Sequence, residues 1–419
     1  MGAITIWEGR APTSSKVAQV ASASIDAVDI VAEITTFTVT ISGLVVSQES
    51  DTNVNTTTAA LVVKLNAETD ARFSAITWTN PGAPSGDITA TADVAGVQFK
   101  ATLAAVGGDG TVTDFTDDTP SAGPGHWNTA MNWSTRTVPV DTDIVVIGDS
   151  AQSIIYDIDQ SAVELLSLTV KSTFTGTIGL PINNTSGFVE GRDTHLTIGA
   201  TTMTIDGSGS GRINIELSAG DLSNVIVTGS GTAAVSGVPP ILLRGGVGGS
   251  STLHIRKGTV GAAWYADEVA EFTTVNMDFI TNQNTDAVLL AGTGAAITTL
   301  TKNGGSASIS SNLTTLIQTA GSVSINGAAT VGTMKLRGGT CFYKSIGTLA
   351  SVIASGGVLD FRADSRARTV TTAVAYAGAS IYDPLGTVAW TNDIDLIEAT
   401  LEEVSLDLGK NITIAITAL

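Results

Sequence analysis

The chain has 419 residues and a net charge of −19; 43% of its residues are hydrophobic, 5% aromatic and 14% charged. The low charged fraction and positive mean hydropathy exclude an intrinsically disordered chain. The excess of acidic residues leaves no general electrostatic footprint for nucleic acid or anionic lipid. A chain of this length is expected to form two domains.

Residues that commonly carry catalysis or bind metals are scarce. Cys341 is the only cysteine, so the chain can form neither an intrachain disulfide nor a thiolate metal cluster. His126, His195 and His254 are far apart in sequence. We interpret His126 as a packed structural side chain and His195 as an ordinary strand residue that is either packed or exposed. The Gly-x-Ser-x-Gly, Gly-Lys-Ser/Thr and His-Glu-x-x-His motifs are missing. We expect no enzymatic activity, no cofactor and no metal site.

Residues 1–16 form a short arm with one aromatic residue, Trp7. This segment lacks the basic region and apolar core of a cleaved signal peptide. No apolar run approaches the roughly 18 residues that a membrane helix needs. We expect synthesis in a cytosol without a cleaved signal, and no membrane partner.

Residues 17–122 are predicted to be a small α+β domain. The segment 37–41 alternates apolar and polar residues as a half-buried strand does. A Thr run opens the best helix candidate, 55–66, whose apolar face is Leu61, Val62 and Leu65. Further strands are predicted at 44–46, 73–79, 88–92 and 98–103.

Residues 123–150 are predicted to be a Trp-rich junction. Trp127 and Trp133 stand beside turn-forming Gly and Asn residues. Large rings at this position can cover apolar surface that the first coil of a β-stack would otherwise expose to water.

Residues 151–419 are repetitive. Short apolar-polar strands follow Gly pairs or Ala-Gly at intervals of roughly 16–21 residues, which is within the range of solenoid repeats. Five such strands are 306–309, 322–325, 340–343, 358–361 and 379–382. A second strand lies inside each unit, at 313–317, 331–336, 349–353 and 370–374.

One repeat cannot bury its own apolar side, whereas stacked coils can. Because side chains alternate along a strand, Val323 and Ile325 are expected to point inward while Ser322 and Ser324 face outward. A β-propeller is the competing architecture, but it normally has longer units and an aromatic signature in each blade. The predicted fold is therefore mainly β: a small N-terminal α+β domain followed by a right-handed parallel β-helix.

The junction sequence GHWNTAMNWSTRTVPVDTDIVVI resembles a Trp…Asn-Trp…Pro…Asp…Val pattern that often opens β-solenoids of surface and phage proteins. The order of features in most of the chain is similar to that of uncharacterised β-helical structural proteins of tailed phages. These features are the Trp-containing arm, the small domain with Phe99, the junction, Ile178 to Pro181, Leu359 to Phe361 and Arg366 to Val370.

This resemblance implies a non-enzymatic virion protein, either a capsid decoration (cement) protein or a head fibre. It would dock on the particle through its arm and N-terminal domain, with the major capsid protein or another virion protein as partner. A homotrimer is expected, with the arm adding a strand to a neighbour. The alternatives are a tail appendage that binds or cleaves host polysaccharide and a bacterial surface adhesin.

Three pairs of carboxylates are spaced two residues apart. On a strand, such residues share a face and can hold Ca²⁺ or act as acid and nucleophile on a glycan. We interpret them instead as outward-facing pairs in turns. They are Asp141/Asp143, Asp157/Asp159 and Asp393/Asp395.

The densest charged cluster runs from Asp360 to Arg368. It is interpreted as a solvated or ion-paired face, with binding of a glycan or acidic partner and a subunit interface as the alternatives. Arginine is favoured at protein interfaces. The candidate interface residues are Trp7, Trp127, Trp133, Arg362, Arg366 and Arg368.

Overall fold

A computed structural model describes residues 2–28, 34–82, 85–181, 193–220, 222–233, 236–278, 287–410 and 412–417. The described chain is mainly β, with two α-helices and two short 3-10 helices, at Thr13–Ser15 and Ala130–Asn132. Its hydrophobic side chains form two separate clusters, one within residues 21–103 and one that extends from Trp7 to Val404.

The first strand, β1 (Ile4–Trp7), precedes the small N-terminal unit but does not belong to it. Two antiparallel sheets, in the orders β5-β6-β2-β8 and β4-β3-β7, make up that unit. Its strands are β2 (Val20–Ala27), β3 (Thr36–Ile41), β4 (Leu44–Glu49), β5 (Ile76–Thr79), β6 (Asp87–Ala92), β7 (Thr102–Val106) and β8 (Thr111–Thr119).

The predicted helix of this unit is confirmed as α1 (Val54–Ala67), which buries Leu61, Val62 and Leu65. Its N-terminus is capped by Asn53, whose Oδ1 accepts a hydrogen bond from the Thr56 N–H at 3.0 Å. The prediction of a strand beginning at residue 73 is wrong, because α2 (Ala71–Ser74) occupies that position after the Asp70 cap. Sequence patterns also missed β2 and β8.

Strand pairing links β1 and the strands after residue 143 into one closed network. The first of these strands are β9 (Ile144–Ile147), β10 (Asp159–Val170), β11 (Leu196–Gly207), β12 (Ile213–Leu217), β13 (Asn224–Ser230), β14 (Ile241–Gly245), β15 (Thr252–Ile255), β16 (Gly258–Ala262), β17 (Ala270–Met277), β18 (Ala287–Ala291) and β19 (Ala295–Lys302).

The later strands coincide closely with the predicted repeats. They are β20 (Ser306–Ile309), β21 (Leu313–Gln318), β22 (Ser322–Ile325), β23 (Val331–Leu336), β24 (Thr340–Tyr343), β25 (Leu349–Ala354), β26 (Gly357–Asp360), β27 (Arg368–Ala375), β28 (Ala379–Tyr382), β29 (Val388–Trp390), β30 (Ile394–Ile397), β31 (Ser405–Asp407) and β32 (Ile414–Thr417).

Pairing in this part is parallel, and from β15 to β26 each strand pairs with the strand two positions further along. Val323 lies beside Cys341, which in turn lies beside Leu359, so equivalent residues stack in register. Val323 and Ile325 are fully buried, which confirms their predicted direction. Parallel pairing of this kind rules out a propeller, whose blades are antiparallel sheets. We call the part formed by β1 and β9–β32 the parallel stack.

The N-terminal arm was wrongly expected to add a strand to a neighbouring subunit. In the structure, β1 pairs in parallel with β9, Ile4 beside Ile144 and Trp7 beside Ile147. Its other edge is occupied by residues 132–134, where the Ser134 N–H donates to the Ile6 carbonyl at 2.9 Å. The arm is thus a strand of the parallel stack, and the small unit is inserted between β1 and β9.

Candidate functional site: the seam and the arginine cluster

The three tryptophans predicted as interface residues meet inside the protein. Trp133 packs edge-on against both Trp7 and Trp127, with ring centroids 5.0 and 4.8 Å apart. All three are fully buried, so none presents a surface to a partner, and that prediction is wrong. Their rings instead belong to the hydrophobic cluster of the parallel stack.

The seam between the small unit and the parallel stack is held by polar contacts. His126 Nδ1 lies 2.7 Å from Asp157 Oδ2, and its Nε2 lies 3.2 Å from the Gly96 carbonyl. The Asp157 N–H donates to Gln98 Oε1 at 2.9 Å. His126 is buried and stacks on Tyr156 at 4.4 Å. The predicted structural role of His126 is therefore observed, with an acidic partner that sequence separation concealed.

A groove of about 410 Å³ runs along this seam. Gln19 donates from Nε2 to Asp117 Oδ1 at 2.6 Å, and Lys100 pairs with Asp193 at 3.2 Å. Burial raises the pKa of the Asp117 carboxyl. Sequence analysis missed these residues because they lie up to 98 positions apart. Besides these, Gln98, Phe99, Ala101, Phe115 and Asp159 line the groove.

In two of the three carboxylate pairs, the side chains bind groups of the protein itself and do not face a common ligand. Thr142, at φ 65°, turns the chain between Asp141 and Asp143, so the two residues are not in an extended strand. Asp141 accepts from the Glu164 N–H, and buried Asp143 accepts from the Ala3 N–H at 2.7 Å. Asp157 pairs with His126, whereas Asp159 accepts from Ser161 and borders the groove.

The third pair lies near the last strands of the parallel stack. Asp393 borders a shallow pocket of about 320 Å³, together with Trp390, Asn392 and Lys410. Asp395 is in β30, whose pairing partner is β32. This pocket combines an aromatic ring with charged and amide groups, a combination that can bind a polar small molecule.

Within the arginine cluster, the guanidinium groups bind carboxylates of the same segment. Arg362 makes two hydrogen bonds to Asp360, and Arg366 binds Asp364 in the same way. These contacts hold the pKa of both carboxyls below the usual range. Arg368 is buried and donates to the carbonyls of Tyr343, Asp364 and Arg366. Its assignment as an interface residue is wrong, whereas the side chains of Arg362 and Arg366 are both 54% exposed.

Two buried polar side chains stabilise turns of the parallel stack. Lys302 Nζ donates to the carbonyls of Gly305 and Ala320 at 2.7 and 3.0 Å. Gln318, paired with Lys302 on the next strand, donates to Gly321 and Thr340. Burial lowers the pKa of Lys302 to about 8. Burial likewise raises the pKa of Cys341 to about 12, which makes it an inert core thiol.

His195, which was predicted to be an ordinary strand residue, packed or exposed, is buried beside the buried Glu268 and close to the partly exposed Arg244. His195 Nε2 lies 3.6 Å from Glu268 Oε1, and among the described residues neither atom has a hydrogen-bond partner. Burial, reinforced by Arg244, lowers the pKa of His195 to about 3, and burial raises the pKa of Glu268. Arg244 also binds Glu216 at 2.6 Å.

No protein-family model matches this sequence, and comparisons with curated proteins and with solved structures likewise give no match. In the described ranges, no group of three or more His, Cys, Asp or Glu residues is arranged to hold a metal ion. Nor does that part of the chain contain a helix long and apolar enough to cross a membrane.

Proposed function

We propose that this chain is a non-enzymatic structural protein of a tailed-phage particle, a capsid decoration (cement) protein or a head fibre. The parallel stack would be a right-handed parallel β-helix that projects from the particle or bridges neighbouring capsid subunits. Docking would fall to the small unit, because β1 is already paired on both edges. The partner would be the major capsid protein or another virion protein.

The observation that carries this proposal is the continuity of the larger hydrophobic cluster. It joins Trp7 of the arm to Val404 near the last strands, and the strands between them are paired in parallel. Stacked repeats that share one core form an extended, stiff body, which is the property that a strut or staple requires. The seam contacts of His126 and Asp157 attach the small unit to one end of this body.

The arrangement of the carboxylates also favours a structural role. Asp143 and Asp157, which were candidates for acid-base or metal chemistry, bind backbone amides or an imidazole instead. Asp360 and Asp364 are neutralised by arginines. The protein would act by burying surface at subunit contacts, and we propose a homotrimer.

A tail appendage that binds host polysaccharide is the second candidate. The pocket of Trp390, Asp393 and Lys410 favours it, since sugars bind through ring stacking and hydrogen bonds to hydroxyl groups. This candidate is tested separately by incubating the full chain with host polysaccharides. New reducing ends would measure cleavage, and retention of the polysaccharide by the protein would measure binding.

The experiment that tests the leading proposal is a copy count. Quantitative mass spectrometry of purified particles would compare this chain with the major capsid protein. On the order of hundreds of copies per particle is the expected result for a decoration protein. A handful would place the chain in the tail and favour the second candidate, whereas absence from particles would refute the virion proposal.

A further inference from the structure

Charge is distributed very unevenly along this acidic chain. Residues 287–368 contain seven of the twenty lysines and arginines but only two of the thirty-nine acidic residues. Both acidic residues, Asp360 and Asp364, are bound by arginines of the same segment. This segment is therefore a basic band on a molecule that is otherwise strongly negative.

Five of the seven cations reach solvent, since only Lys302 and Arg368 are buried. Arg362 and Arg366 are paired, as described above. Lys335, Arg337 and Lys344 have no carboxylate within ion-pair distance among the described residues. Lys344 lies beside Arg366, whose guanidinium donates to the Lys344 carbonyl at 3.2 Å. Lys335 lies on β23, and Arg337 directly follows that strand, so the three unpaired cations are spread over consecutive strands of the parallel stack.

Aromatic and apolar side chains accompany these charges. Phe342, Asp360 and Tyr382 lie side by side on successive strands. The Arg362 guanidinium lies over the Tyr382 ring at 4.8 Å, and Lys344 Nζ is 5.8 Å from the Phe342 centroid. Ile346 is 46% exposed. Arginine and aromatic residues side by side are the composition of protein–protein contact sites.

We propose that this basic band is the surface through which copies of this chain bind each other, against the acidic surface of a second copy. The proposal deepens the structural role given above by naming the contact between subunits. Outside the band the chain has thirteen cations and thirty-seven acidic residues. The remainder of any other copy is therefore negatively charged and complementary to the basic band.

Sedimentation velocity of the purified full chain tests this proposal. The expected result is an oligomer at about 50 mM salt that dissociates at about 500 mM, because screening weakens exposed charge pairs. The triple variant Lys335→Glu, Arg337→Glu, Lys344→Glu should raise the dissociation constant at least tenfold. The control variant Lys64→Glu, Lys171→Glu, Lys257→Glu makes the same change in net charge outside the band, and it should associate like the wild type.

A wild-type chain that stays monomeric at low salt would overturn the proposal. So would equal weakening by both triple variants, or association that is indifferent to salt. Retention of a labelled acidic polysaccharide by a monomeric chain, lost only in the band variant, would reassign the surface to a polyanion. These outcomes are independent of the copy count in particles, so failure of either proposal is recognised separately.

Discussion

At the scale of single residues, Lys302 and Gln318 show two solutions to one problem. Each turn between stacked strands leaves carbonyl groups inside the protein, and an unpaired buried carbonyl is destabilising. Both side chains donate to the carbonyl three residues ahead and to a second carbonyl, 18 residues ahead for Lys302 and 22 for Gln318. Lysine does so with a charge that burial disfavours, whereas glutamine is neutral.

The variant Lys302→Gln introduces the side chain that the neighbouring strand has at the paired position, Gln318, and we expect it to fold. The unfolded lysine titrates near 10.5 and the folded one at about 8. Between these values the unfolded state holds more protons, so the wild type gains stability relative to the variant as pH rises from 8 to 10.5. The gain amounts to about 3 kcal/mol at most.

Urea denaturation of both proteins at pH 7 and pH 10 measures this difference. A stability difference that does not change with pH would show that Lys302 titrates normally in the folded protein. The variant Lys335→Gln is the control for the chemical change from lysine to glutamine, since this side chain is only partly buried.

At the scale of elements, β1 shows why local patterns misplaced the arm. Its four residues predict a strand, but nothing within residues 1–16 indicates a partner 140 residues away. The outward Ile4 and inward Trp7 follow the alternation of a strand that is paired on both edges.

Replacing Trp7 with alanine should therefore destabilise the parallel stack. The side chain is fully buried, and its Nε1–H donates to the Gln152 carbonyl at 3.0 Å. We expect a loss of about 3–5 kcal/mol in the free energy of unfolding, measured by denaturant titration. Ile4→Ala in the same strand is the matched control, since Ile4 is 64% exposed, and it should change little. Similar losses in the two variants would contradict the assignment of β1 to the core.

At the scale of the whole molecule, the polar contacts of the seam connect the small unit to the parallel stack. We expect these contacts to hold the two units in a fixed relative position. His126→Phe keeps the stacking on Tyr156 but leaves the Gly96 carbonyl and the Asp157 carboxylate without this partner. Each buried unpaired acceptor costs about 1–3 kcal/mol. Hydrogen exchange at residues 94–98 and 155–158 should accelerate by at least about tenfold, and exchange in β20–β28 should not.

The control for the seam is His254→Phe. His254 lies on β15 and pairs with Asp278 at 3.2 Å, with 27% of its side chain exposed. It should leave the exchange of the seam unchanged. Equal protection in the wild type and in His126→Phe would mean that the two clusters are joined by other contacts.

Much of the fold was readable from the sequence because its determinants are local. Alternation places Val323 inside, Gly pairs mark the turns, and a regular interval brings equivalent residues into register. Helix α1 was equally accessible, since its apolar face lies within one helix of fourteen residues, although the cap is Asn53 and not the Thr run. The basic band is also visible in the sequence, as a stretch of about eighty residues with few acidic side chains. An inspection limited to short charged clusters did not reveal it.

Only the tertiary structure determined which residues meet across long separations. Trp7 meets Trp133, His126 meets Asp157 and Gly96, and Gln19 meets Asp117 through folding alone. The burial of the three junction tryptophans and of Arg368 has the same origin. A sequence pattern indicates the periodicity of apolar side chains, and hence the type of element. The exposure of a side chain depends instead on what packs against that element. In this protein the packing comes from strands far away along the chain.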